Sequence, residues 1–294
     1  MQNQNLFAMN GSVVLSPVMH PDQILVLQSS QPLVIVDARA GLQAQQNYNS
    51  LHLQGAAWVD LENNLSQPTS NPSQGGRHPL PELATFAHLL GQLGIEPPTH
   101  VIVYDDKNAA NAAARFWWML RSVGHQHVQV LDGGMNAAIA QGFLTSTEPT
   151  PASIRPPYPV ESWQLPMADI ESVATAASQS NCLIIDVRET VRYRGEQEPI
   201  DLIAGHIPGA INVPFRENLN ADGFFLSPDR LRAKYESVFE QRHPDQVIVH
   251  CGSGVTACHT LLAITYAGWD MPQLYVGSWS EWSRSGRPIS KTDI

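Results

Sequence analysis

The residues best able to do chemistry lie in one short stretch, Cys251-Gly-Ser-Gly-Val-Thr256. The β-branched run 247–249 predicts a buried strand before the thiol, and apolar residues at helical spacing after Thr256 predict a helix. Cys251 then lies at the carboxyl end of a strand, where open α/β sheets place their sites. Gly252 and Gly254 permit positive φ, so backbone N–H groups can turn inward. With the helix N-terminus, they favour the nucleophilic thiolate of Cys251.

The overall composition disfavours several classes of partner. The chain has 294 residues and a net charge of −10 without a basic stripe, which disfavours nucleic acids and anionic membranes. No apolar run reaches the roughly 18 residues that span a bilayer, and the first residues lack the pattern of a secretory signal. The three cysteines, Cys182, Cys251 and Cys258, show no framework spacing. They indicate reduced thiols and a cytoplasmic location.

The two halves of the chain carry the same motifs in the same order. Residues 33–39 correspond to 183–188, 52–56 to 206–210, 101–105 to 247–251, and 131–134 to 275–278. Strands alternate with helices in each half, which predicts an α/β fold. We expect two tandem domains, each a mainly parallel sheet flanked by helices on both faces.

Periodicity places the elements of each half. Strands are predicted at 33–37, 101–104, 128–131, 183–186, 247–250 and 274–275, and helices at 81–93, 109–123, 136–141, 167–178, 228–239, 256–267 and 279–283. Prolines between the halves exclude a regular element there. The predicted division is an N-terminal domain over 1–145, a stiff proline-rich linker over 146–160 and a C-terminal catalytic domain over 161–294.

The repeat breaks at the position of the thiol. Asp105 follows the middle strand of the first half, where Cys251 follows the middle strand of the second. A carboxylate is a much weaker nucleophile toward sulfur than a thiolate. We therefore expect the N-terminal domain to be catalytically inactive, with a structural or substrate-shaping role.

Three motifs carry a resemblance to a known family. Gly205-His-Ile-Pro-Gly-Ala210, the Cys251 loop and Gly277-Ser-Trp-Ser-Glu-Trp282, in tandem halves, resemble the two-domain rhodanese family and within it the 3-mercaptopyruvate sulfurtransferases. The resemblance implies that Cys251 takes a sulfane sulfur from a small-molecule donor, 3-mercaptopyruvate or thiosulfate, as a persulfide. A thiol acceptor such as thioredoxin, or cyanide, then receives it. Neither a metal nor an organic cofactor is implied.

The resemblance also assigns residues to the site. Catalytic roles fall to Cys251 and Ser253, and substrate binding to Arg192, Gly252, Gly254, Val255 and Thr256. The family's second substrate-binding arginine is absent, because Ile200 stands near its place. Arg194 is an alternative cation, and thiosulfate as the main donor stays an open alternative. From the N-terminal domain, His78 matches the histidine proposed in the family to polarise the loop serine, and Glu62 stands where the family has an aspartate.

Two other functions are compatible with parts of the pattern. A cysteine phosphatase or arsenate reductase needs an arginine six residues after the cysteine, and this chain has Ala257 there. A non-catalytic, partner-binding rhodanese module would be expected to lack the cysteine, which is present. The sequence therefore favours the sulfurtransferase. His250 and His259 lie close to Cys251 and Cys258 in sequence, but their spacing is not that of a zinc site.

Overall fold

The computed structural model describes residues 7–9, 12–110 and 112–291. The chain forms two compact units, the first from Met1–Leu61 with Leu83–Gln164 and the second from Glu62–Glu82 with Leu165–Ile294. This division differs from the predicted one in two places. Residues 62–82 belong with the second unit, and the whole of the proline-rich segment 146–160 belongs with the first.

The first unit is built on a five-stranded parallel sheet in the order β3-β8-β7-β4-β6. Its strands are β1 Phe7–Met9, β2 Ser12–Val14, β3 Val18–Met19, β4 Leu33–Asp37, β5 His52–Leu53, β6 Ala56–Trp58, β7 His100–Tyr104, β8 Val128–Leu131 and β9 Thr145–Ser146. Its helices are α1 Pro21–Ser30, α2 Ala44–Ser50, α3 Leu83–Gln92, α4 Ala113–Ser122 and α5 Gly134–Ala140. β7 is buried along its whole length, because strands inside a parallel sheet are covered on both faces.

The second unit repeats this design in the order β10-β14-β13-β11-β12, again with parallel pairing throughout. Its strands are β10 Met167–Ala168, β11 Leu183–Asp186, β12 Ile211–Asn212, β13 Val247–His250 and β14 Gln273–Tyr275. Its helices are α6 Ile170–Ala176, α7 Thr190–Tyr193, α8 Pro228–Phe239, α9 Thr256–Tyr266 and α10 Ser278–Trp282, with 3-10 turns at Phe215–Asn218 and Pro244–Gln246. The central β13 carries the candidate loop at its carboxyl end. The predicted α/β class with mainly parallel sheets is confirmed.

An Asp-x-Arg ion pair follows a strand in each unit. Arg39 donates Nη2 to Asp37 Oδ2 at 2.7 Å, and Arg188 donates Nη2 to Asp186 Oδ2 at 2.6 Å. Each arginine also donates to a backbone carbonyl, Leu51 O in the first unit and Gly205 O in the second. These pairs are buried and bidentate, so they fix the turn that leaves each strand.

A stacked tyrosine and histidine is also duplicated. Tyr48 lies on His52 with ring centroids 4.0 Å apart, and Tyr193 lies on His206 at 3.9 Å. In both units the tyrosine hydroxyl donates to the carbonyl of the alanine that ends the repeated motif. The sequence repeat therefore corresponds to a repeated network of side-chain contacts.

One predicted helix begins later than expected. The predicted helix 167–178 contains a short strand, Met167–Ala168, and helix α6 starts only at Ile170. Asp169 causes the change, because its side chain accepts the N–H of Ser172 and caps the helix. The interpretation of 167–178 as a single helix was wrong.

The proline-rich segment is irregular, as predicted, but it is packed against the first unit. Arg155 N–H donates to Gly91 O at 2.8 Å, and Tyr158 N–H donates to Ala87 O at 3.0 Å. Tyr158 is buried. These contacts explain why the segment belongs to the first unit.

Within the described residues, no helix combines the length and apolar character needed to cross a bilayer.

Candidate active site

Cys251 heads the loop between β13 and α9, at the carboxyl end of the central strand. Its backbone N–H donates to Ser278 Oγ at 3.2 Å, and its carbonyl accepts the N–H of Trp279 at 3.0 Å. The next carbonyl, of Gly252, accepts the N–H of Ser280 at 2.9 Å. The first two loop residues are thus held by the start of α10. Cys251 is 3% exposed.

Gly254 can be only glycine without a rearrangement of the loop. Its φ is +75°, and a Cβ there would lie 2.4 Å from the carbonyl oxygen of Val276. Val255 is buried and Thr256 begins α9. The loop therefore turns back tightly from the strand into the helix, which is the geometry that the glycine spacing predicts.

Ser253 lies in a chain of three polar side chains. His78 Nδ1 lies 2.7 Å from Ser253 Oγ, and His78 Nε2 lies 3.0 Å from Glu62 Oε1. When Nε2 carries the proton and donates it to Glu62, Nδ1 is free to accept the serine hydroxyl. The structure therefore brings together the three residues that the sequence could only suggest as neighbours.

The segment 62–82, which carries His78, packs against helix α10 and against Gly277 directly before it. Gly75 N–H donates to Glu281 Oε1 at 2.7 Å, and Arg77 N–H donates to Ser280 Oγ at 3.0 Å. Gly76 has φ +79°, and a Cβ there would lie 2.3 Å from the carbonyl oxygen of Gly277. The motif Gly277-Ser-Trp-Ser-Glu-Trp282 thus supports both the Cys251 loop and the segment that approaches it.

Arg192 lies beside the loop but is strongly engaged with acidic groups. Its Nε and Nη2 donate to the Glu198 carboxylate at 3.1 and 2.6 Å, and Nη2 also lies 3.3 Å from Asp201 Oδ2. Burial acts to raise the pKa of Glu198, but the hydrogen bond from Arg192 and nearby backbone N–H groups hold it below its usual value. Glu198 is therefore charged and fixes the orientation of Arg192.

The other cationic candidates lie in different surroundings. Arg194 has a half-exposed side chain and pairs with Glu196 at 3.7 Å. Ile200, near the place of the absent second arginine, is 53% exposed. Sequence analysis missed Arg77, which lies next to Gly252. Its position directly before His78 was the available signal.

The last features of the site are the buried His250 and the side chains considered as metal ligands. His250 is buried, with Nδ1 3.1 Å from the carbonyl oxygen of Cys251 and Nε2 3.8 Å from Asp186 Oδ2. Burial lowers the pKa of His250 below its usual value, although Asp186 opposes the shift. Within the described part of the chain, no three or more His, Cys, Asp or Glu side chains are grouped so that they could hold a metal ion.

Comparison with known proteins places the fold and these motifs in one family. The profile of the rhodanese-like domain matches residues 20–141 and again 169–285, which together cover most of the chain. The chain belongs to the rhodanese family. The two matches correspond to the two halves of the repeat, so this rhodanese has a tandem arrangement, as the sequence predicts.

Curated relatives of this rhodanese carry sulfurtransferase names. It is 39% identical over 280 residues to a probable 3-mercaptopyruvate sulfurtransferase of Pseudomonas aeruginosa, covering 92% of this chain and 97% of the relative. It is 34% identical to human 3-mercaptopyruvate sulfurtransferase, covering 89% and 88%. It is 36% identical to mouse thiosulfate sulfurtransferase, covering 85% and 83%.

Solved structures agree with this placement of the rhodanese. A 3-mercaptopyruvate sulfurtransferase from Leishmania major has a TM-score of 0.80 at 29% identity, covering 92% of this chain and 75% of that one. A 3-mercaptopyruvate sulfotransferase from Escherichia coli has a TM-score of 0.72 at 31% identity, covering 90% and 100%.

Proposed function

We propose that this rhodanese is a sulfurtransferase that moves a sulfane sulfur from 3-mercaptopyruvate, or from thiosulfate, through a persulfide on Cys251. The observation that carries the proposal is the placement of Cys251 at the head of a tight glycine loop whose Ser253 is bonded to His78. The names of its relatives support the same reaction. The phosphatase and the non-catalytic module, which the sequence disfavours, receive no support from these relatives.

The first half-reaction transfers sulfur to the enzyme. The Cys251 thiolate attacks the donor sulfur, a new S–S bond forms, and the C–S bond of mercaptopyruvate breaks with its electron pair moving to carbon. The proton of the donor thiol reaches that carbon, and pyruvate leaves. With thiosulfate, the S–S bond of the donor breaks and sulfite leaves with the pair. Covalent capture divides the transfer into two easier steps.

Charge develops at two places during this step, and the loop has groups for both. Turned-in N–H groups of Gly252, Gly254, Val255 and Thr256 are proposed to stabilise the anionic sulfur, as an oxyanion hole does. In this step the His78 imidazole is proposed to carry a proton on each nitrogen, donating Nε2–H to Glu62 and Nδ1–H to Ser253 Oγ. The Ser253 hydroxyl can then donate its own proton to the donor carbonyl, where the enolate charge forms. Arg192 binds the donor carboxylate through its guanidinium.

The second half-reaction returns the enzyme to its thiolate. A thiol attacks the outer sulfur of the persulfide, and the electron pair of the S–S bond returns to Cys251. Cyanide accepts the same sulfur and leaves as thiocyanate. We propose a thioredoxin-like protein thiol as the acceptor. We also propose the cytoplasm as the location, because all three cysteines are free thiols in the structure. Asp105 gives the first unit no covalent role.

Intact-mass analysis tests the proposal directly. Wild type and Cys251→Ser are each incubated with mercaptopyruvate or thiosulfate, desalted and weighed. We expect wild type to gain one sulfur atom, which cyanide then removes as thiocyanate, and Cys251→Ser to gain none. A wild type that gains no sulfur from either donor would contradict the proposal. The donor with the higher kcat/KM identifies the principal reaction.

A further inference from the structure

We propose that His250 is a positioning residue for sulfur transfer. Its ring N–H holds the Cys251 carbonyl and so keeps the Gly252 N–H turned to the opposite side, available to the anionic sulfur. The inference rests on the proposed function and deepens it, because it gives a role to a side chain that touches neither donor nor acceptor. His250 ends β13 directly before the thiol and is fully buried. It therefore acts through the backbone of its neighbour.

The first argument is the bond between the His250 ring and the Cys251 carbonyl. Nδ1 lies 3.1 Å from the carbonyl oxygen, and a carbonyl only accepts, so Nδ1 carries a proton. Nε2 lies 3.8 Å from Asp186 Oδ2, which is too far for a hydrogen bond, and it has no other partner among the described residues. Burial lowers the pKa of His250, although Asp186 opposes the shift. The ring is therefore neutral, with its single proton on Nδ1.

The second argument is that the same carbonyl has two donors. Besides the His250 ring, the Cys251 oxygen accepts the N–H of Trp279 at 3.0 Å, so both of its lone pairs are used. The peptide that joins Cys251 to Gly252 is planar and trans, so the Gly252 N–H points away from that oxygen. In the part of the chain that the structure describes, the Gly252 N–H has no protein acceptor. The two donors thus fix the direction of an N–H group that is free to meet an anion.

The third argument is the contrast with the first unit. Tyr104 occupies there the place of His250, and its hydroxyl donates to Asp37 Oδ2 at 2.7 Å. A hydroxyl has one proton, so Tyr104 does not donate to the carbonyl of Asp105, the first residue of its own loop. Of these two side chains, only His250 holds the carbonyl that follows it, and it does so in the unit that has the thiol.

The surroundings of His250 set the size of the expected effect. The residue lies in register with Asp186 of β11, and its ring centroid is 6.3 Å from that of Tyr275 in β14. If the ring donor is removed, the Trp279 N–H still holds the Cys251 carbonyl. Loss of His250 should therefore loosen this peptide rather than unfold the loop, and the effect on reactivity should be that of one hydrogen bond.

Alkylation of Cys251 by iodoacetamide tests this role, with the product measured on the Cys251 peptide by mass spectrometry so that the other two thiols do not interfere. His250→Leu removes the donor and keeps most of the bulk. We expect it to slow alkylation near neutral pH about 3- to 10-fold and to move the midpoint of the pH profile upward, because the thiolate loses a fixed N–H donor. The kcat with mercaptopyruvate should fall by the same factor, with KM within about twofold.

Two amide variants separate hydrogen bonding from packing. His250→Asn places an N–H near the position of Nδ1 and should return the alkylation rate to within about twofold of wild type. His250→Gln carries its amide farther out, near the position of Nε2, and should behave as His250→Leu does. Tyr104→Phe, at the same position of the first unit, is the matched control and should leave the pH profile of Cys251 unchanged.

Several results would overturn the inference. Unchanged alkylation in His250→Leu would remove His250 from the reaction, and equal losses in the Asn and Gln variants would make its role one of packing alone. Nitrogen NMR of the wild-type histidine rings tests the bond even if the variants fail to fold, since a proton on Nε2 of His250 rather than on Nδ1 would contradict it. Alkylation and NMR need no sulfur donor. A wild type that transfers no sulfur would therefore overturn the proposed function, whereas these two measurements judge the bond itself.

Discussion

The loops that follow β7 and β13 start from equivalent positions and hold different groups. In the first unit, the Asp105 carboxylate accepts backbone N–H groups of Lys107 and Ala109 at 2.9 Å each and of Ala113 at 3.2 Å. In the second unit, the corresponding side chain is the Cys251 thiol. The first loop is thus closed on a carboxylate of the chain itself, with two N–H groups on Oδ1 and one on Oδ2, which shows that a turn at this position can gather N–H groups around an acidic side chain.

The two loops share two other contacts. Asp105 O accepts Met135 N–H at 3.0 Å, as Cys251 O accepts Trp279 N–H at 3.0 Å. The residue before each loop head approaches the strand-end aspartate, since Tyr104 donates to Asp37 Oδ2 at 2.7 Å. The scaffold is therefore shared, and the two loops differ in their first side chain and in the residues that contact it.

Backbone strain also differs between the loops. The first loop adopts positive φ at Asn108 and Ala109, whereas the second does so at Gly254. An L-residue in this region costs roughly 1–2 kcal/mol, and glycine avoids that cost. The loop that we propose to be reactive is the one whose turn is built from the residue suited to it.

The largest expected effect is the difference in turnover between substitutions of Cys251 and of Asp105, the first residues of the two loops. Cys251→Ser should lower turnover with mercaptopyruvate at least about 10⁴-fold, because it removes the covalent step. Asp105→Asn should leave kcat/KM within about twofold, since a neutral isostere does not touch the proposed chemistry. Steady-state assays of pyruvate release measure both. Comparable losses in the two variants would show that the first loop contributes to catalysis.

The next effect concerns the hydrogen-bonded side chains Ser253, His78 and Glu62 at the Cys251 loop. His78→Ala should lower kcat about 10²-fold or more, the usual range for a proton relay. Glu62→Gln should lower it only about threefold, because the Glu62 side chain is 65% exposed and water can replace it. A Glu62→Gln loss as large as that of His78→Ala would contradict this ranking.

A smaller effect, on stability, comes from the buried acid of the first loop. Burial raises the pKa of Asp105 from 3.8 to about 6, although three backbone N–H groups oppose the shift. The folded state therefore holds its proton more tightly, and the stabilisation present below pH 4 is lost as pH rises through about 6. The loss should approach about 3 kcal/mol.

Denaturant titrations of wild type and Asp105→Asn across this pH range measure the effect. The free energy of unfolding of wild type should decline relative to the variant as pH rises, and then run parallel to it. Parallel curves over the whole range would mean that Asp105 titrates as it does in the unfolded chain.

The long central elements could be predicted from sequence, and the short edge elements could not. Strands Leu33–Asp37, Leu183–Asp186 and Val247–His250 match their predicted bounds, because buried parallel strands are continuous apolar runs. Ala56–Trp58 and Ile211–Asn212 were missed, since two or three residues show no periodicity. Their pairing depends on the strand beside them rather than on local pattern.

The candidate site divides in the same way. The Cys251 loop is a contiguous motif, so its glycines and its strand-to-helix position could be read locally. The contact of Arg77 with Asp201 spans 124 positions of the chain, and no local pattern encodes it. The sequence repeat shows which positions of the two halves correspond. It could not show that a segment of the first half folds into the second unit.

That exchanged segment means that the two repeats are no longer separable copies. The polypeptide crosses between the units three times, after Leu61, Glu82 and Gln164. A gene fragment encoding only the later repeat would retain Cys251 and Ser253 but would lose the imidazole that contacts Ser253 and the guanidinium of Arg77 beside Gly252. Recombination at the middle of the gene would separate segment 62–82 from the rest of the unit into which it folds.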